Sequence, residues 1–164
     1  MTADARRRLL RAWLALAVVD FCFASALATL AYGGTFGGLW QGVASTVLGP
    51  SAIGGGAAPV LVGILLHVGV AFAWSAAFVA LWLALPALRR LVATPAGVLA
   101  AAAVYGPLVW CVMSLAVIPT LTGRPPSVTP RWWIQLLAHV PFVALPVVAS
   151  VGLGAPGVRA PAPQ

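Results

Sequence analysis

The chain has 164 residues, of which 62% are hydrophobic and only 7% charged, against about a quarter charged in an ordinary soluble domain. With a mean hydropathy of +1.05 it lacks the polar surface to face water, which excludes a soluble globular domain, a disordered segment, a collagen-like chain and a disulfide scaffold. The formal charge of +7 comes from nine arginines against Asp4 and Asp20, with no Lys, Glu or Asn; the arginines flank apolar runs, so they read as topology signals and not as a nucleic-acid surface.

The first apolar run is Ala12–Ala31, preceded by Arg6, Arg7, Arg8 and Arg11. About 20 apolar residues span a hydrocarbon core of roughly 30 Å, and a backbone inside lipid must satisfy its own hydrogen bonds, so the run predicts a helix. The arginine stretch also resembles a twin-arginine export signal, with Ala26-Leu27-Ala28 as a cleavage site. The apolar stretch is long for such a signal and Asp20 interrupts it, so an uncleaved first span is predicted. An uncharged, glycine-rich loop follows over Tyr32–Ala58 on the outer side. Within it Leu39–Leu48 predicts a short helix, broken at Gly49-Pro50 and too short to cross. It either lies on the bundle top or forms a re-entrant lid over a cavity.

The second run extends from Pro59 to Leu85, the third from Pro95 to Ile118 and the fourth from Pro130 to Val151. Proline suits the first helical position, where the missing N–H costs nothing, and Thr94 and Thr129 stand as N-caps just before two of these prolines. Arg89 and Arg90 lie in the short connection between the second and third runs. Gly123, Pro125 and Pro126 predict a compact turn over Leu121–Thr129. Pro107, Pro141 and Pro146 each remove a backbone donor inside a helix. Cys22 and Cys111 fall mid-span outside any CxxC pattern and read as small buried residues.

The predicted architecture is an all-α, four-helix transmembrane bundle forming a single domain over residues 1–164. Arg6, Arg7, Arg8, Arg11, Arg89, Arg90 and Arg159 fall on one side, and Arg124 and Arg131 on the other. The positive-inside rule then places both termini in the cytoplasm. Arginine in place of lysine and the abundance of alanine suit a GC-rich bacterial genome, hence a bacterial inner membrane.

Three ionisable residues lie inside the spans, where such groups are rare and suggest function. At a rise of about 1.5 Å per residue, Asp20 lies roughly 16 Å from the outer end of its helix, His67 about 12 Å below Pro59 and His139 about 13 Å below Pro130. The three depths agree within about one helical turn. Gly63, His67, Ala71 and Ser75 line one stripe, Gln135 shares a face with His139, and Asp20 shares one with Ala17, Ala24 and Ala28. Small residues on a stripe let helices approach, so the three groups point inward. Tyr105 and Ser114 on the third helix complete the predicted polar cluster.

The ordered set Asp20, Trp40 to Ser45, Leu48-Gly49, Gly54-Gly55, Gly63, Leu66-His67, Tyr105-Gly106, Met113, Pro119 and His139 resembles a family of small, uncharacterised, four-span bacterial inner-membrane proteins. The resemblance covers most of residues 15–150. It implies the four-span fold and no activity, and Ser114 stands where the family carries Asn.

The cluster has three readings. Asp20 paired with the histidines can be structural, fixing helix register in a structural protein or an accessory subunit of a larger complex. His67 and His139, facing each other across diagonal helices, can hold a b-type haem, or with Asp20 a transition metal. Finally, Asp and His groups in a span can relay protons or couple them to transport, with a homodimer supplying the pathway. No phosphate-binding glycine loop, GxSxG or HExxH is present, which argues against a soluble-type enzyme. The predicted partners are the lipid bilayer and a second copy or a larger membrane complex, with no nucleic acid.

Overall fold

The computed structural model describes residues 1–153; Arg159, counted in the topology above, lies outside them. Six helices follow one another: α1 (Ala3–Ala31), α2 (Phe36–Leu48), α3 (Ala57–Ala84), α4 (Pro86–Leu91), α5 (Pro95–Thr122) and α6 (Pro130–Gly152). No strand occurs among the described residues. α1, α3, α5 and α6 are the four helices long and apolar enough to cross a membrane. Large apolar side chains such as Leu14, Val18, Leu61, Leu65, Val104 and Leu137 stay exposed on their outer faces, as a lipid-facing surface requires.

The arginine segment is itself helical, a difference from the expected start at Ala12. α1 begins at Ala3, with the Thr2 hydroxyl accepting from the Ala5 N–H. The second span starts at Ala57, two residues before Pro59, with Gly56 at positive φ as its N-cap. Thr94 caps α5 by accepting from the Gly97 N–H, as expected. Thr129 makes no side-chain cap for α6. The short helix runs from Phe36, three residues earlier than Leu39, because Thr35 caps it at the Gly38 N–H.

α1 packs on both α3 and α6, and α5 packs on α6. Between α3 and α5 the link is made by side chains: the Tyr105 hydroxyl donates to the Trp74 carbonyl at 2.6 Å, and the Tyr105 ring lies edge-on to Phe78 at 4.9 Å. In the half of the bundle that carries α4, Ala12, Phe78, Val79, Val98, Ala102, Val147 and Val148 form a closed core. Arg8 is drawn into that end. It is only 4% exposed, pairs with Asp4 at 2.7 Å, donates to the Val151 carbonyl and lies over the Trp82 ring. A residue read from the sequence as a flanking charge is therefore a packed one.

Each of α1, α5 and α6 contains one widened π turn, at Leu27–Ala31, Met113–Val117 and Val140–Ala144. The turn in α6 answers the break made by Pro141. That residue cannot donate to the Leu137 carbonyl, which instead accepts from the Val140 N–H. Such single turns reroute backbone bonds and commonly stand beside functional side chains.

Candidate functional site

The other half of the bundle is hollow. A cavity of about 380 Å³ opens there, and each helix except α4 contributes to its wall. Asp20 comes from α1, Trp40 from α2, His67 from α3, Trp110 from α5, and Gln135 and His139 from α6. The rest of the lining is mainly aliphatic. Volume and character match the general pattern of a small-molecule site, an apolar concavity with a few convergent polar groups.

Asp20 and His67 form the first polar pair. The His67 Nδ1 stands 3.8 Å from the Asp20 Oδ2, within ion-pair reach and beyond a hydrogen bond. The other ring nitrogen, Nε2, lies 3.3 Å from the Ala17 carbonyl. A carbonyl only accepts, so this contact puts the hydrogen on Nε2. Trp40 holds the ring edge-on, with centroids 5.2 Å apart, and stacks in turn on Phe21 at 4.8 Å. Trp40 reaches this depth because Gly63 on α3 lies directly beneath it. A Cβ at Gly63 would overlap the Trp40 backbone carbonyl.

His139 is held separately. Its Nδ1 donates to the Gln135 carbonyl one turn earlier, at 2.7 Å. In the neutral ring this leaves Nε2 with a lone pair, and it has no hydrogen-bond partner among the described residues. The Trp110 ring packs against the imidazole at 4.8 Å. On the far side Gly106 lies against the His139 backbone, closely enough that a Cβ would meet the carbonyl carbon and oxygen. Trp40 and Trp110 both carry buried indole N–H groups with no acceptor among the described residues.

The structure divides the predicted cluster. Asp20, His67, Gln135 and His139 do line one cavity. Tyr105 is buried in the closed half, its hydroxyl consumed by Trp74. Ser114 faces a neighbouring cleft, donating to the Trp110 carbonyl and accepting from the Trp132 indole at 2.9 Å. Neither completes the site. Nor do Asp20, His67 and His139 form a three-ligand metal site; no group of three His, Cys, Asp or Glu side chains among the described residues is placed to hold an ion. With its Nε2 on the Ala17 carbonyl, His67 could offer a haem iron only Nδ1, the nitrogen that faces Asp20. Cys22 is exposed on the bundle surface and Cys111 is half-buried, so the expectation of two buried cysteines holds for neither.

Two parts of the site stood in the sequence reading only within the family-like set and not among its site residues. Trp40 is the largest fully buried side chain, although it sits in the loop region; its signal was the Gly63 opposite it. Gln41 is the other. Its amide donates to the Gly56 carbonyl and accepts from the Gly54 N–H, each at 3.0 Å. It ties the glycine turn, where Gly54 and Gly56 both have positive φ, to the middle of α2.

Fold and site together define a multi-pass, all-helical membrane protein with a polar-centred cavity in one half of its bundle. No family model, no curated protein and no solved structure matches the chain.

Proposed function

We propose that this is a bacterial inner-membrane protein with both termini in the cytoplasm, whose cavity binds a small, mainly apolar molecule carrying hydrogen-bonding groups. The observation that carries this reading is the convergence of the Asp20–His67 pair and the unpartnered Nε2 of His139 on one cavity. A pair that served only to fix helix register would be expected at hydrogen-bond distance and packed in. Here the pair stands apart at 3.8 Å beside open volume. The unpartnered indoles of Trp40 and Trp110 favour a ligand with acceptor atoms, because buried donors without partners are costly.

The residues that resemble a family of four-span proteins also gather here. Asp20, Trp40, His67, Met113 and His139 line the cavity, while Gln41, Gly54 and Gly63 seat the helix that covers it. The closed core in the α4 half favours binding over open proton conduction across the bundle. Proton coupling survives as a second reading, because Asp and His groups set side by side within spans often mark proton paths. The bilayer is the first partner, and a homodimer or larger membrane complex is the form in which coupling would operate.

Photolabelling of the purified chain in detergent with a diazirine-bearing long-chain alcohol tests the binding reading. Adducts are expected on cavity-lining segments, Leu39–Val47 and Val109–Leu121, and should be lost in Asp20→Asn and His139→Ala. Adducts confined to lipid-facing positions such as Leu61, Leu65 and Val104 would overturn it.

A further inference from the structure

Beside the cavity lies a second hollow, a cleft of about 460 Å³ at the end of the bundle that carries α2. Arg124 and Arg131 line it, with the hydroxyl residues Thr122, Ser127 and Thr129. The Arg131 guanidinium is held 4.3 Å over the Tyr32 ring, which orients it without neutralising it.

Among the described residues the charges at this end have no acidic side chain as counterpart. The chain's two acidic side chains are Asp4 and Asp20. Asp4 is engaged by Arg8 at the opposite end, and Asp20 by His67 inside the bundle. The first turn of α6, which starts at this cleft, has no side-chain cap. Pro130 has no N–H and the Trp132 N–H bonds the Thr129 carbonyl, so the turn adds only the positive end of the helix dipole to the two arginines. Two guanidinium groups and three hydroxyl residues on one cleft suit an anion bearing several oxygens, above all a phosphate.

Cleft and cavity share a wall. Thr46, Trp110, Ile118 and Gln135 line both. The two hollows therefore adjoin, close enough for one molecule with an anionic group and an apolar chain to occupy both.

We propose that the ligand of the cavity is an anionic phospholipid, its phosphate headgroup held between Arg124 and Arg131 and a chain passing Thr46 into the cavity. This rests on the reading of the cavity as a binding site and names its ligand class.

The test uses the full chain in detergent and photoreactive phosphatidylglycerol or phosphatidylcholine, each with the diazirine near the end of one chain. Labelling of cavity segments is expected to favour phosphatidylglycerol by about tenfold, a factor in keeping with two basic side chains near an anionic headgroup. R124Q/R131Q should abolish that preference. R7Q/R90Q, which removes the same charge elsewhere, should keep it. Equal labelling by the two lipids, or a preference that survives R124Q/R131Q, would overturn the proposal. So would competition by millimolar inorganic phosphate as strong as that by phosphatidylglycerol, since the cleft would then hold a free anion. Alcohol labelling of the cavity distinguishes the failures. If it persists while the lipid preference is absent, only the ligand class falls; if it is absent too, the binding reading falls with it.

Discussion

The guanidinium of Arg8 donates to the backbone carbonyl of Val151, joining helix ends 143 residues apart in sequence. The same group is packed over Trp82 at the end of α3. One side chain thus closes the α4 end of three spans, and it satisfies a carbonyl in the last turn of α6 where a cation is favoured.

Arg8→Ala should therefore lower stability by about 2–3 kcal/mol, the range for a hydrogen bond to a charged group together with a carbonyl left unpaired. Arg8→Lys should recover only part of this, because an ammonium cannot stack on Trp82 and reach the carbonyl in the same planar geometry. Thermal unfolding in detergent measures both, and an unchanged midpoint for Arg8→Ala would refute the packed role. Little of the loss comes from Asp4, whose side chain is 45% exposed.

Gly106 has no room for a methyl group, since a Cβ there would meet the His139 backbone. Gly106→Ala should force α5 and α6 apart beside the cavity, at a cost of about 1–3 kcal/mol. Gly69 on α3 has open space around it, so Gly69→Ala should leave stability unchanged or slightly raised. Equal effects of the two substitutions would show that helix propensity, and not close approach, governs both.

Asp20→Asn distinguishes a binding role from a structural one. The pair stands at 3.8 Å, so losing the charge while keeping the shape should change stability by less than about 1 kcal/mol. Trp40→Ala, which empties a fully buried site under α2, should cost about 3–5 kcal/mol. Photolabelling by the alcohol should be lost in Asp20→Asn although the protein remains folded. A large fall in its unfolding midpoint would instead favour the register-fixing role.

Gln41→Ala should release the glycine turn. Two hydrogen bonds to backbone groups disappear, at about 1 kcal/mol each. Amide hydrogen exchange at Gly54 should rise by about fivefold or more, with little change in the spans. Exchange at Gly54 identical to that of the wild type would show that the positive-φ glycines hold the turn unaided.

Topology can be checked with a membrane-impermeant maleimide on intact cells. In a chain with Cys22 and Cys111 replaced by Ser, Ser51→Cys should label and Ala93→Cys should not. The reverse pattern would invert the orientation drawn from the arginines.

The spans were legible because a bilayer imposes a length and an apolar character that hydropathy reads directly. The depths of Asp20, His67, Gln135 and His139 were legible because helical rise is constant, and all four line the cavity. Rotation about each helix axis was less so. Tyr105 and Ser114 have suitable depth, yet α5 turns one toward Trp74 and the other toward Trp132. The π turn at Met113–Val117 adds a residue to the helical turn that contains Ser114, so ideal spacing does not place it. The fate of Arg8 was hidden for another reason. Charge at a span's edge has one meaning for topology, but its packing against Trp82 and Val151 depends on where two distant helices end.

The seating of α2 has a consequence for how such a protein diversifies. Its anchors are Trp40, Gln41 and the fully buried Ala44, whereas Leu39, Val43 and Val47 face the cavity. Because Trp40 alone serves both tasks, drift at positions 39, 43 and 47 can reshape what fits beneath the helix without unseating it. Natural variants should accordingly keep the tryptophan, glutamine and alanine while exchanging the three aliphatic residues, and a survey of such sequences would read out ligand divergence on a constant scaffold.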